Sequence, residues 1–131
     1  MTLRELVEGM VKDHSWGMKE QAGGFDLLLP QEGGRSQVVN VSEFADDSSG
    51  MVRYTSQIGS VEGIGTNRFR AALELNAQLP HGCLAVDNGH MVITETRPLK
   101  TTTPQSSGEA VRFIARQADR YEKLIFGTDT H

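Results

Sequence analysis

Apolar positions along the chain change period several times, and each change marks an element. Leu3, Leu6, Val7, Met10, Val11 and His14 recur at helical spacing, with Arg4, Glu5, Glu8, Lys12 and Asp13 off that face. Thr2 followed by Glu5 forms a capping box. The threonine hydroxyl can accept from the third backbone N–H while the glutamate reaches back. A helix is predicted from Thr2 to about His14. Gly9 falls on its polar side, at a propensity cost of about 1 kcal/mol.

The period then shortens. "GFDLLLP" is a short apolar run closed by Pro30, and "RSQVVNVSEF" is rich in β-branched residues. "GMVRYTSQIGSV" alternates, with Val52, Tyr54 and Ile58 on one side and Arg53, Thr55 and Gln57 on the other. The links "QEGG" and "ADDSSG" carry turn residues, so these three strands are expected to pair consecutively and antiparallel.

Helical spacing returns after Gly65. Thr66 or Asn67 is the expected cap, and Pro80 forces an end near Leu79. Phe69, Ala72, Leu73 and Leu79 mark a buried stripe, with Asn76 inside it and Arg70, Glu74 and Gln78 on the wet face. A buried amide left unpaired costs about 1–3 kcal/mol, so Asn76 is expected to bond backbone at the helix end or in the following strand.

"PHGCLAVDNGHMVITE" reads as a hairpin, because Asn88-Gly89 between alternating apolar runs demands a two-residue turn. Asp87 should face His90, Ala85 should face Val92, and Cys83 should face Thr94. Leu84, Val86, Met91 and Ile93 then share the core face, and Cys83, Ala85, Asp87, His90, Val92 and Thr94 share the other. The last helix is predicted to start at a second capping box, Ser106 with Glu109, and to end with Gly127 at C′. Its core face is Ala110, Val111, Phe113, Ile114, Ala118, Tyr121, Leu124 and Ile125. The order is α-β-β-β-α-β-β-α. It predicts one α+β domain over residues 1–131, an antiparallel five-stranded sheet with helices on one face.

Composition narrows the class. The 131 residues are 37% hydrophobic and 23% charged, as in a globular domain, and fourteen glycines favour strands and turns over a bundle. The net charge of −4 disfavours nucleic acid and anionic membranes as partners. One cysteine cannot form an internal disulfide, and no apolar run approaches the ~20 residues of a membrane span. The amphipathic N-terminus with Glu5 and Glu8 is unlike a secretory signal. The expectation is a soluble cytoplasmic protein.

Candidate chemistry thins out under the same geometry. The hairpin register sets Cys83 and His90 roughly 13 Å apart at ~3.3 Å per residue. A single metal with ligand bonds of ~2 Å cannot hold both. Gly59, Gly63 and Gly65 precede a helix, but no lysine completes a P-loop, and Arg68 stands where a dinucleotide fingerprint needs glycine. A strand-to-helix crossover is the better reading than a phosphate site. No Gly-x-Ser-x-Gly elbow exists, and His14 on an apolar helix face reads as a core-edge residue. No catalytic, metal or cofactor residue is expected. Arg112, Arg116 and Arg120 recur every four residues on the last helix, with Glu109, Asp119 and Glu122 near. Pairing along the helix is one reading, and a docking strip for an acidic partner segment is the other.

The element order and two segments together resemble the type III secretion chaperone-like superfamily. "LELNAQLPHGCLAVDNGHMVITETRPL" looks like that group's asparagine-bearing helix and hairpin, and "EAVRFIARQADRYEKLI" resembles its closing helix. The likeness is strongest from Arg68 to Gly127, and residues 1–61 match in pattern only. A similar arrangement occurs in a family of bacterial sensory-transduction regulators. The resemblance implies a small acidic homodimer that binds a protein client without catalysis, holding it along apolar patches and a sheet edge. Phe69, Leu73, Cys83, Ala85, Val92, Arg112, Arg116 and Arg120 are the expected dimer or partner surface. A regulatory domain acting through protein contact in signalling or transcription is the alternative.

Overall fold

The computed structural model describes residues 1–126. The expected C′ role of Gly127 lies outside them. In chain order the elements are α1 (Leu3–His14), β1 (Gly17–Gln21), β2 (Gly24–Pro30), β3 (Ser36–Asp46), β4 (Ser49–Ser60), α2 (Thr66–Leu75), β5 (Cys83–Asp87), β6 (His90–Pro98) and α3 (Pro104–Tyr121). Short 3₁₀ turns follow β2, α2 and β6, and a π turn, Glu122–Phe126, ends the described chain.

The sheet has six strands rather than five, all antiparallel, in the order β1-β2-β3-β4-β6-β5. The additional strand is β1, "GMKEQ", whose residues are all exposed. It lacks the apolar alternation that marks a half-buried strand. Pairing with β2, in the register Gly17↔Leu28 to Gln21↔Gly24, makes it a strand.

Alternation along the other strands divides the sheet into two faces. Phe25, Leu27, Leu29, Val39, Val41, Val52, Tyr54, Met91 and Ile93 form one buried cluster with Leu6, Val7 and Met10 of α1 and Val111, Ile114, Ala115 and Ala118 of α3. Leu28, Val38, Arg53 and Gln57 on the opposite face remain exposed. The helices α1 and α3 therefore pack on one side of the sheet. Tyr54 is fully buried, and its hydroxyl shares a hydrogen bond with Ser107 Oγ of α3. Burial pushes its phenol above the usual pKa, and the Ser107 bond partly opposes this.

Helix starts follow side-chain chemistry. Thr2 and Glu5 form the expected reciprocal box, and the bond from the Thr2 backbone holds the Glu5 carboxyl below its usual pKa. The box of α3 lies three residues earlier than Ser106–Glu109. Thr103 is the cap, Ser106 takes the third position, and Pro104 opens the helix. Proline there has no N–H to waste and a φ already set for helix, so it draws the start upstream. The cap of α2 is Gly65, with no side-chain bond, rather than Thr66 or Asn67. Gly9 does not face open solvent. A Cβ on it would sit 2.7 Å from Pro104 Cγ. Gly108 of α3 likewise lies under the His14 ring, with Nε2 2.6 Å from a Cβ there. Two glycines thus let α1 and α3 approach closely.

Candidate protein-binding surface

The β5–β6 hairpin has the expected register, Cys83↔Thr94, Ala85↔Val92 and Asp87↔His90. Asn88 and Gly89 both take positive φ, 51° and 79°, as a type I′ turn requires. In such a hairpin the pair flanking the turn is hydrogen-bonded and alternate pairs are not. Asp87, Ala85 and Cys83 thus point their backbone groups at β6, while Val86 and Leu84 point theirs outward.

Leu84 does not leave its outward groups bare. Its N–H donates to Asn76 Oδ1 at 2.6 Å, and its carbonyl accepts from Asn76 Nδ2 at 3.2 Å. The amide, held just past the end of α2, occupies the edge of β5 as one residue of a further strand would. At the opposite edge, the same alternation counted from the Ala22-Gly23 turn leaves Glu20 and Met18 with outward groups. The β5 edge is therefore plugged at Leu84, and the β1 edge is open.

The apolar surface beside β5 differs from expectation. On α2 only Ala72 is buried, Phe69 and Leu79 are half-buried, and Leu73 is 68% exposed. Val86, placed on the core face, is 54% exposed. The physical reason is that α2 ends at Leu75 and lies over an edge strand with nothing beyond it, so the outer part of its stripe has no partner. Phe69, Ala72, Leu73, Leu84, Ala85, Val86 and Met91 line a shallow cavity of about 190 Å³ there. Cys83 is exposed, Ala85 half-buried, and Val92 only 3% exposed, so Val92 offers almost no side-chain surface.

The would-be ligands of this segment are engaged separately. His90 Nδ1 donates to the Asn88 carbonyl at 3.2 Å. His81 meets the edge of the Phe113 ring at 5.5 Å and accepts from Arg97 Nη2 at 3.4 Å. Glu95 accepts from the Gly82 N–H at 2.7 Å and from Arg97 Nε, and Arg97 Nη1 donates to the Ser106 carbonyl at 3.3 Å. This cluster ties the hairpin to the start of α3.

The arginine row of α3 divides. Arg112 Nη2 donates to His14 Nδ1 at 3.0 Å, and the His14 ring stacks on Trp16 with centroids 4.4 Å apart. The core-edge reading of His14 fits this position. Asp119, the acid closest in sequence to Arg120, is clamped from β3's side by Arg35 Nε and Nη2 at 3.2 and 2.9 Å. Among the described residues Arg116 and Arg120 make no ion pair along the helix.

No protein-family model and no curated protein matches the chain. Solved structures do. A chain of the HopA1–SchA chaperone–effector complex aligns with a TM-score of 0.65 at 8% identity, over 92% of this chain and 92% of that one. The Yersinia pestis type III secretion chaperone SycH, solved with a fragment of YscM2, aligns with a TM-score of 0.62 at 13% identity, over 91% and 98%. A chain of the ExsC–ExsE complex aligns with a TM-score of 0.65 at 12% identity, over 94% and 92%. The likeness spans nearly the whole of each chain, and the protein has the fold of the type III secretion chaperones.

Proposed function

We propose that this chain is a non-catalytic, homodimeric protein-binding module, a cytoplasmic chaperone or adaptor that holds an extended segment of a client. One observation carries the reading: apolar side chains of α2 and β5, Leu73 and Val86 foremost, stand exposed over the plugged edge of the sheet. Contiguous apolar surface on a small acidic protein marks a contact site. Two structural neighbours, the HopA1–SchA chaperone–effector complex and the secretion chaperone SycH with a fragment of YscM2, support the same class.

A second copy would cover this surface, α2 against α2, with Phe69, Leu73, Ala85 and Val86 at its centre and Cys83 at the rim. The client would then use the opposite end of the sheet. There β1 offers outward N–H and C=O groups, and Met18, Leu28 and Val38 line an apolar cavity of about 350 Å³ beside it. An incoming strand gains main-chain bonds at the edge and side-chain pockets next to it. Light scattering after size exclusion should give twice the chain mass at micromolar concentration. Leu73→Glu with Val86→Glu should halve it while the circular dichroism spectrum stays unchanged. A wild-type monomer at that concentration sinks the dimer.

A further inference from the structure

A second groove, sharing no residue with the Leu73–Val86 cavity, runs between the end of α2 and the C-terminal half of α3. Leu75, Leu79 and Pro80 form one wall, and Phe113, Tyr121 and Leu124 the other, around about 340 Å³. Leu124 is 67% exposed. The remaining lining is Gln78, Gln117, Arg120 and Ile125, so no acid among the described residues lines it. On a protein of net charge −4, an apolar groove whose one charged lining residue among those described is Arg120 is a local reversal of sign.

The arginines approach this groove by degrees. At about 100° per residue, Arg112 sits about 100° around α3 from Phe113, Arg116 about 60°, and Arg120 about 20°. Arg120 lines the groove, Arg116 lies one turn earlier on the same side of the helix, and Arg112 is turned away onto His14. Asp119, which would otherwise neutralise this end of the helix, is engaged by Arg35. Arg116 and Arg120 are both exposed and lie one turn apart.

We propose that this groove receives an acidic amphipathic helix of a partner protein, its apolar side chains on Phe113, Leu79 and Leu124 and its carboxylates on Arg116 and Arg120. From Phe113 to Leu124 the helical wall extends about 16 Å, the length of about three turns of a docked helix. A groove walled by two helical segments presents ridges that a third helix can fit. Guanidinium–carboxylate pairs formed beside apolar surface are charge-assisted and directional. The surface is independent of the dimer and of the β1 edge.

The test is fluorescence anisotropy with the full-length protein. The probe is a labelled sixteen-residue amphipathic helix bearing leucine and phenylalanine on one face and glutamates flanking it. A counterpart has every glutamate replaced by lysine. The glutamate probe should bind and the lysine probe should not. Arg116→Glu with Arg120→Glu should weaken binding at least ~10-fold, and raising salt should weaken it further as charges are screened. Arg112→Glu should leave it within about twofold, because that side chain faces His14. The Leu73→Glu/Val86→Glu protein should bind the probe as wild type does, which separates this groove from the dimer proposal. Equal binding of the two probes, or an unchanged affinity in the Arg116/Arg120 variant, overturns the inference. A loss of dimer mass in that variant also overturns it, since the occupant would then be a second copy.

Discussion

At the scale of single residues, Asn76 does the most with the fewest atoms. Its amide satisfies both the N–H and the C=O of Leu84, a residue whose own strand partner faces elsewhere. Asn76→Ala strands two backbone groups beside a buried leucine. The expected loss is about 1–3 kcal/mol, read from urea unfolding midpoints. Asn76→Asp should cost at least as much, since a carboxylate meets the Leu84 carbonyl with no donor. Sequence showed why such a residue needs a backbone partner, at the helix end or in the following strand, and the structure gives the strand.

Tyr54 gives a pH dependence with a definite sign. Its folded-state pKa is raised by burial. In the unfolded chain a phenol titrates near ~10. Above that pH the unfolded state has released the proton and the folded state still holds it, so stability falls as pH rises from about 10. Tyr54→Phe removes this slope. The stability difference between wild type and variant should shrink from pH 9 to pH 11 in parallel urea titrations. A constant difference would contradict the assignment.

Among elements, the contact of α1 with α3 was the least legible in the sequence. Gly9 reads as a weak point in a helix until Pro104 is seen lying against it. No periodicity carries that information, because it belongs to two helices at once. The two glycines should also behave differently. Gly9→Ala drives a Cβ into a rigid pyrrolidine ring, an overpacking cost of about 1–3 kcal/mol that outweighs the helix-propensity gain of about 1 kcal/mol. At Gly108 the obstacle is the end of the His14 side chain, which can swing aside. Gly108→Ala should therefore be near neutral in stability. Thermal melts of the two variants decide this. The early start of α3 has a comparable lesson: Thr103-Pro104 outweighs Ser106-Glu109 because proline fixes φ as well as position.

For the whole molecule, the strands with strict alternation were readable as strands, and the Asn88-Gly89 turn fixed the β5–β6 register residue by residue. β1 was not, since an edge strand exposed on every side chain has no apolar face to betray it. Leu73, Val86 and Leu124 matched helical or strand periodicity and so read as core. Periodicity reports which side chains share a face and is silent on whether anything covers that face. The arginine row follows neither helix-pairing nor a uniform strip: Arg112 is engaged by His14 of α1, and among the described residues Arg116 and Arg120 make no ion pair along α3. Client capture at β1 has its own check. Met18→Pro deletes an outward N–H while leaving the bonds to β2, a position where an edge strand tolerates proline. The variant should keep its circular dichroism spectrum and its dimer mass. It should lose the partners that wild type retains in affinity purification from the native cell, as identified by mass spectrometry. Retention of those partners would place the client elsewhere.

The inequality of the two sheet edges bears on how such a protein stays discrete at high concentration. Any subunit with two bare edges is bivalent for strand pairing and can add copies without limit. Asn76 reduces that valence to almost one. Two copies meeting through β1 would exhaust each other's free edge, and the growth of a continuous sheet would stop there. One amide side chain thus removes most of one sheet edge from continuous strand pairing between copies.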